Sequence, residues 1–175
     1  VRMGRQRRAA PILTEGSYWQ QALSGMALLR MPRVRWVLTV TALEGAMAFG
    51  TLAFVPSQLV QHFHLSAAWA GGLMALYGIG GLFYSQMARR WLGWFGERGL
   101  ARLGSVLVAV GLLLLAWTHH VVFAAFGCLS AGLGFYMLHN TLQTQATQMA
   151  PEARGSAVTL FACMLFFGQS TGVLV

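Results

Sequence analysis

The sequence predicts an all-α membrane protein. Three observations carry that prediction. Of 175 residues, 57% are hydrophobic and only 9% charged, where a soluble domain carries about 25% charged residues. The apolar residues fall into five long runs. The charges are segregated: twelve arginines, no lysine and four glutamates give a net charge of +8, and the arginines sit in short segments between the runs. A strongly basic chain raises nucleic acid as a partner. The low charge density and the absence of a basic stripe exclude it. An up-and-down membrane barrel would show short alternating segments, and none occur.

A spanning helix needs about 20 mostly apolar residues, because lipid offers the backbone no hydrogen-bond partners. Five segments meet that need: residues 35–61, 66–87, 100–117, 121–143, and a fifth from about 155 onward. QHFHLS (61–66) joins the first two, with Ser66 as an N-cap candidate for the second. ARRWLGWFGERGLAR (88–102) is expected to be the connection between the second and third. THH (118–120) is a tight turn, and MAPEARGS (149–156) leads into the fifth span, with Pro151 as the stop. Pro56 is expected to kink or end the first helix.

In this arrangement every arginine lies on one side of the bilayer. Arg2, Arg5, Arg7, Arg8, Arg30, Arg33 and Arg35 belong to the N-terminal arm, Arg89, Arg90, Arg98 and Arg102 to the second connection, and Arg154 to the fourth. The other side shows His62, His64, His119 and His120 and no arginine. Excess positive charge marks the cytoplasmic face, so the arm (1–34) is expected inside and the transmembrane part is 35–175. Residues 12–30 form either an amphipathic helix on that face, with Trp19, Leu23 and Met26 on one side, or a linker.

Glu44 is the only acid within a span. It stands about 12 Å into the first helix at helical rise. A carboxylate at that depth must face protein or water, or keep its proton. It therefore reads either as a proton-coupling group or as a structural hydrogen bond to a neighbouring helix. The fourth span ends in FYMLHNTLQTQATQM, and Asn140, Gln143 and Thr147 lie roughly on one face. Tyr77, Asn140, Gln143 and Gln169 join Glu44 as candidate lining of a substrate path. His139 is a weaker candidate. Gly78, Gly81, Gly132 and the GxxxG pair Gly168 and Gly172 permit close helix approach.

Cys128 and Cys163 lie inside apolar runs and read as buried small hydrophobes. No HExxH, GxSxG or Ser-His-Asp set is present, so no enzyme is expected. No cofactor is expected either. The outer histidines form pairs without carboxylates, a weak metal signal, so no metal site is expected.

The stretch LQTQATQMAPEARGSAVTLFACMLFFGQSTG (142–172) resembles the C-terminal half of major facilitator superfamily transporters, most closely the bacterial arabinose/drug-efflux permeases. Pro151, Glu152, Arg154, Gly155, Gly168, Gln169 and Gly172 match the family's turn and following helix one by one. The resemblance implies a partial major facilitator fold of about five transmembrane helices, corresponding to the seventh to eleventh of twelve. It implies a bacterial inner-membrane location, with the arm as the cytoplasmic central loop. Arg89, Arg90, Arg98, Glu152 and Arg154 then fall at the cytoplasmic gating and topology face. The 88–102 loop keeps only Gly96, Glu97 and Arg98 of the family's Gly-Asp-Arg-Gly-Arg pattern. The implied activity is proton-coupled efflux of a sugar or drug-like small molecule by alternating access, with lipid, protons, substrate and a missing N-terminal half as partners. The first residue is Val, so the chain is expected to be a fragment, a truncated product or a mis-assigned start, and inactive alone. The alternative is a small structural or assembly membrane protein that associates through its Gly-rich helices.

Overall fold

The computed structural model describes residues 25–174. The described residues form four long helices and no strand: α1 (Pro32–Phe63), α2 (Ala67–Trp117), α3 (Val121–Gln148) and α4 (Arg154–Leu174), with a 3-10 turn at Pro151–Ala153 before α4. All four are long and apolar enough to cross a membrane. The amphipathic segment expected at 12–30 lies largely outside the described residues. Its Met26 is exposed.

Local sequence sets the helix ends. Pro32 opens α1, where its missing N–H costs nothing. Ser66 caps α2 by accepting a hydrogen bond from the Trp69 N–H at 3.3 Å, as its position predicts. The His120 N–H donates to Thr118 Oγ1 at 3.1 Å, which closes the 118–120 turn. Pro56 does not end α1. The helix runs on to Phe63.

The expected 88–102 connection is a single residue. α2 is helical on both sides of Gly96, whose φ of 63° and ψ of 175° break it into limbs α2a (67–95) and α2b (97–117). That combination is open essentially to glycine alone. The break folds the helix back on itself. Gly80 and Gly104 would stand about 36 Å apart on a straight helix. Both instead abut one stretch of α3: Gly80 meets Leu129, Gly132 and Leu133, while Gly104 meets Gly134, Met137 and Leu138. α2a and α2b therefore lie side by side against α3.

The bundle is built from two tight units. α2 packs extensively on α3, and α1 packs on α4, with far thinner contact between the units. Both close seams are glycine seams. A Cβ at Gly111 would lie 2.6 Å from the Ala131 nitrogen, and one at Gly134 would lie 2.6 Å from the Val108 nitrogen. Gly168 and Gly172 press on the backbone of Ala42 and Ala46, and Gly50 presses on the Gly172 carbonyl. Lipid gives helices no hydrophobic drive to associate, so such backbone proximity supplies the packing energy. Of the packing glycines expected from sequence, Gly81 is pressed by the Tyr136 ring, and Gly132, Gly168 and Gly172 make such backbone contacts. Gly78 does not: nothing lies within 4 Å of its would-be Cβ. Cys128 is buried as expected, but Cys163 is exposed on the outer face of α4.

The two ends of the bundle differ chemically. At one end Val34, Val37, Leu142, Ala146, Met149, Ala157 and Phe161 form a core cluster. All described arginines flank it or the adjoining cluster of Tyr84, Leu100 and Met137. At the other end Val55, Leu59, Ala70, Leu115, Ala124 and Cys128 cluster, and the four outer histidines cap that end. Exposed tryptophans sit at both levels. Trp36 and Trp94 are at the arginine end and Trp69 and Trp117 at the histidine end, each at least 70% exposed. Trp69 and Trp94, on one limb, are separated by about 37 Å of helix. That matches a hydrocarbon core of about 30 Å plus its aromatic girdles.

Candidate functional site

Glu44 lies within the bundle on α1, 2% exposed. Its Oε2 is 3.4 Å from His139 Nδ1 on α3. The contact crosses the seam between the two units, which is thinner than the seams within them. His139 is fixed by aromatic rings on both sides. Phe135, one turn earlier on α3, stacks on it at a centroid distance of 5.4 Å, and Phe161 of α4 stands 5.8 Å away. The imidazole is the partner that Glu44 lacks in a reading of the sequence. His139 looked weak there because only tertiary packing brings residues 95 apart within reach.

The other carboxyl oxygen, Oε1, is buried and has no hydrogen-bond partner. The same holds for the Tyr77 hydroxyl. Both residues line one small cavity of about 10 Å³, together with Met47, Thr51, Val108 and Phe135. That is close to the minimum volume that holds one water. All three elements α1, α2 and α3 meet at this point. Chemically, the pair can hold a proton on either the carboxyl or the imidazole without moving a backbone, and the unpartnered oxygen and hydroxyl are two further polar atoms at the same small cavity.

The remaining candidates are not gathered here. Asn140 and Gln143 are exposed on the outward face of α3, and the Asn140 amide donates locally to the Tyr136 carbonyl at 2.8 Å. Thr147 shares that exposed face. The face predicted from sequence is therefore real, but it points away from Glu44. His139, one residue before Asn140, is rotated about 100° toward the interior. Gln169 is half-buried on α4, and its backbone nitrogen sits 3.2 Å from where a Cβ of Gly45 would stand. Arg89, Arg90, Arg98, Glu152 and Arg154 are exposed at one end of the bundle. Among the described residues none of them forms an ion pair.

Sequence reasoning also passed over two interhelical bonds. Gln58 Nε2 donates to the Leu115 carbonyl at 3.0 Å and ties α1 to α2b. Ser130 Oγ donates to the Leu107 carbonyl at 2.9 Å and ties α3 to α2b. Single polar residues in apolar helices are the signal for both, but the partner is a backbone carbonyl that no pattern marks.

An all-helical bundle with tryptophan girdles, arginines at one end and an acid–imidazole pair at membrane depth defines a multi-pass membrane protein with a polar interior. The family model of the Major Facilitator Superfamily matches residues 4–173, nearly the whole chain, and the protein belongs to that superfamily. Its members are membrane transporters, not enzymes. Searches of curated proteins and of solved structures gave no match.

Proposed function

We propose that the chain is one bundle of a proton-coupled efflux transporter of the bacterial inner membrane, exporting a sugar or drug-like small molecule by alternating access. The observation that carries this reading is the buried Glu44 paired with the half-buried His139 at the seam between two helical units. Ionisable groups at this depth are costly and mark proton or substrate routes. The cavity beside Glu44, about 10 Å³, is too small for a sugar. The substrate path in such transporters lies between two bundles, so this bundle acts with a second one and does not transport alone. Its limbs then correspond to the seventh to eleventh spans. The arm (1–34) is the cytoplasmic linker, and the arginine end, with Arg89, Arg90, Arg98, Glu152 and Arg154, is the inner gate.

In this scheme Glu44 takes up a proton when its side of the cavity opens outward. His139 accepts the hydrogen bond or the proton while the units shift against each other. Asn140 and Gln143, on the open face of α3, face the second bundle and the substrate. The test is efflux of radiolabelled arabinose and of ethidium from vesicles carrying the full gene product under an imposed pH gradient. Glu44→Gln abolishes proton-driven efflux and leaves downhill substrate exchange intact. Retention of the wild-type pH response removes Glu44 from coupling.

A second reading, a structural or assembly membrane protein, draws on Gly71 and Gly78. Both are open to the outside of α2a and free to receive a helix from another protein. It predicts disulfide-linked dimers from Gly78→Cys in native membranes.

A further inference from the structure

Two histidines far apart in sequence meet at the outer end of the bundle. His62 belongs to the last turn of α1, and His119 to the turn between α2b and α3. His62 Nε2 lies 3.3 Å from His119 Nδ1, and the ring centroids are 5.3 Å apart, inclined by 41°. Both side chains are exposed, and each also meets solvent.

At 3.3 Å the two nitrogens are within hydrogen-bonding reach of each other, at the long end of the range. The same separation matches the bite of a tetrahedral metal. Two imidazole nitrogens bound at about 2.05 Å and a tetrahedral angle stand about 3.3–3.4 Å apart. With the ring centre about 1.1 Å behind each nitrogen, the centroids of such a pair stand about 5.2 Å apart. Both measured distances fall on these values. The local charge also suits a cation, since no arginine lies at this end among the described residues. Neutral imidazole is the common protein ligand for zinc, nickel and copper.

We propose that His62 and His119 form a two-histidine site for a divalent transition-metal ion, with water completing the shell. The ion replaces the hydrogen bond between the rings and clamps the end of α1 to the α2b–α3 turn. The site is independent of the Glu44 pair, which lies in the membrane interior. Among the described residues no group of three or more histidine, cysteine or acidic side chains converges, so the site is a bidentate one, of lower affinity than a structural zinc centre.

The test uses the full chain in detergent micelles. Zn²⁺ is titrated by calorimetry with Mg²⁺ as the control, and Cu²⁺ bound in its place is read by electron paramagnetic resonance. One Zn²⁺ binds per chain, Mg²⁺ does not, and the copper spectrum shows two imidazole nitrogens. His62→Ala and His119→Ala each weaken Zn²⁺ binding by at least about tenfold, the lower bound for losing even an outer-shell partner. His64→Ala and His120→Ala leave it unchanged. Because all four side chains are exposed, the variants keep the wild-type circular dichroism. Undiminished Zn²⁺ binding in His62→Ala, an equal loss in His64→Ala, or a one-nitrogen copper spectrum overturns the proposal.

Discussion

Glu44 of α1 and His139 of α3 are joined at 3.4 Å across the seam between two helical units, which pack on each other less extensively than the helices within each unit do. The link is single-sided: one carboxyl oxygen meets the imidazole and the other meets no polar group. A bond of this kind ties α1 to α3 at one point within the bundle.

Removing the imidazole leaves Glu44 with no partner for either oxygen. His139→Leu is expected to lower unfolding stability in detergent by about 1–3 kcal/mol, the cost of an orphaned buried polar group. Adding Glu44→Leu to His139→Leu should restore part of that loss, because the unpaired group is then gone. Denaturation in graded detergent or urea, followed by tryptophan fluorescence, measures both. Additive losses in the double variant would show that the two side chains are not coupled.

Glycines that look alike in sequence should respond in opposite ways. Gly168→Ala and Gly172→Ala drive a methyl into the α1 backbone at Ala42 and Ala46. Each should destabilise by about 1–3 kcal/mol through overpacking. Gly78→Ala meets open space and should stabilise by about 0.5–1 kcal/mol through helix propensity. Melting of the three single variants in one detergent decides it. An equal effect at all three positions would contradict the packing of α4 on α1.

The proposed orientation, with the arginine end cytoplasmic and the histidine end outside, can be read directly. Alkaline phosphatase fused after His64 or after His119 should be active, as it is only outside the inner membrane. Fusions at Gly96 and at Glu152 should be inactive. Activity at Gly96 would mean that α2 does not fold back within the membrane.

The helical content and the membrane setting were legible in the residues themselves. A run of 20 apolar side chains has one stable form in lipid, whatever its neighbours are. The Ser66 cap, the 118–120 turn and the stop before Pro151 are local chemistry and stood where local chemistry placed them. Pro56 did not end its helix, and the 88–102 segment did not follow local rules. Neighbouring helices in a bundle accommodate a proline that would end an isolated helix. The polar, arginine-rich 88–102 stretch stayed helical except at Gly96.

The candidate site was half legible. Glu44 stands out because an acid in an apolar run is rare at any register. Its partner does not stand out, since a histidine near the polar end of a span has many possible surroundings. Asn140 and Gln143 share a helical face, and periodicity showed as much, but it could not say whether that face turns inward.

The sequence by itself determined that the chain is helical, that it crosses a bilayer, and that its arginines gather at one end. Each of these follows from the solvation of a residue and its immediate neighbours. Only the tertiary structure decided that Glu44 meets His139, that the turn between the second and third spans narrows to Gly96 alone, and which glycines bear a neighbouring backbone. Those depend on how helices distant in sequence rotate against one another, and that rotation is set by packing summed over whole interfaces.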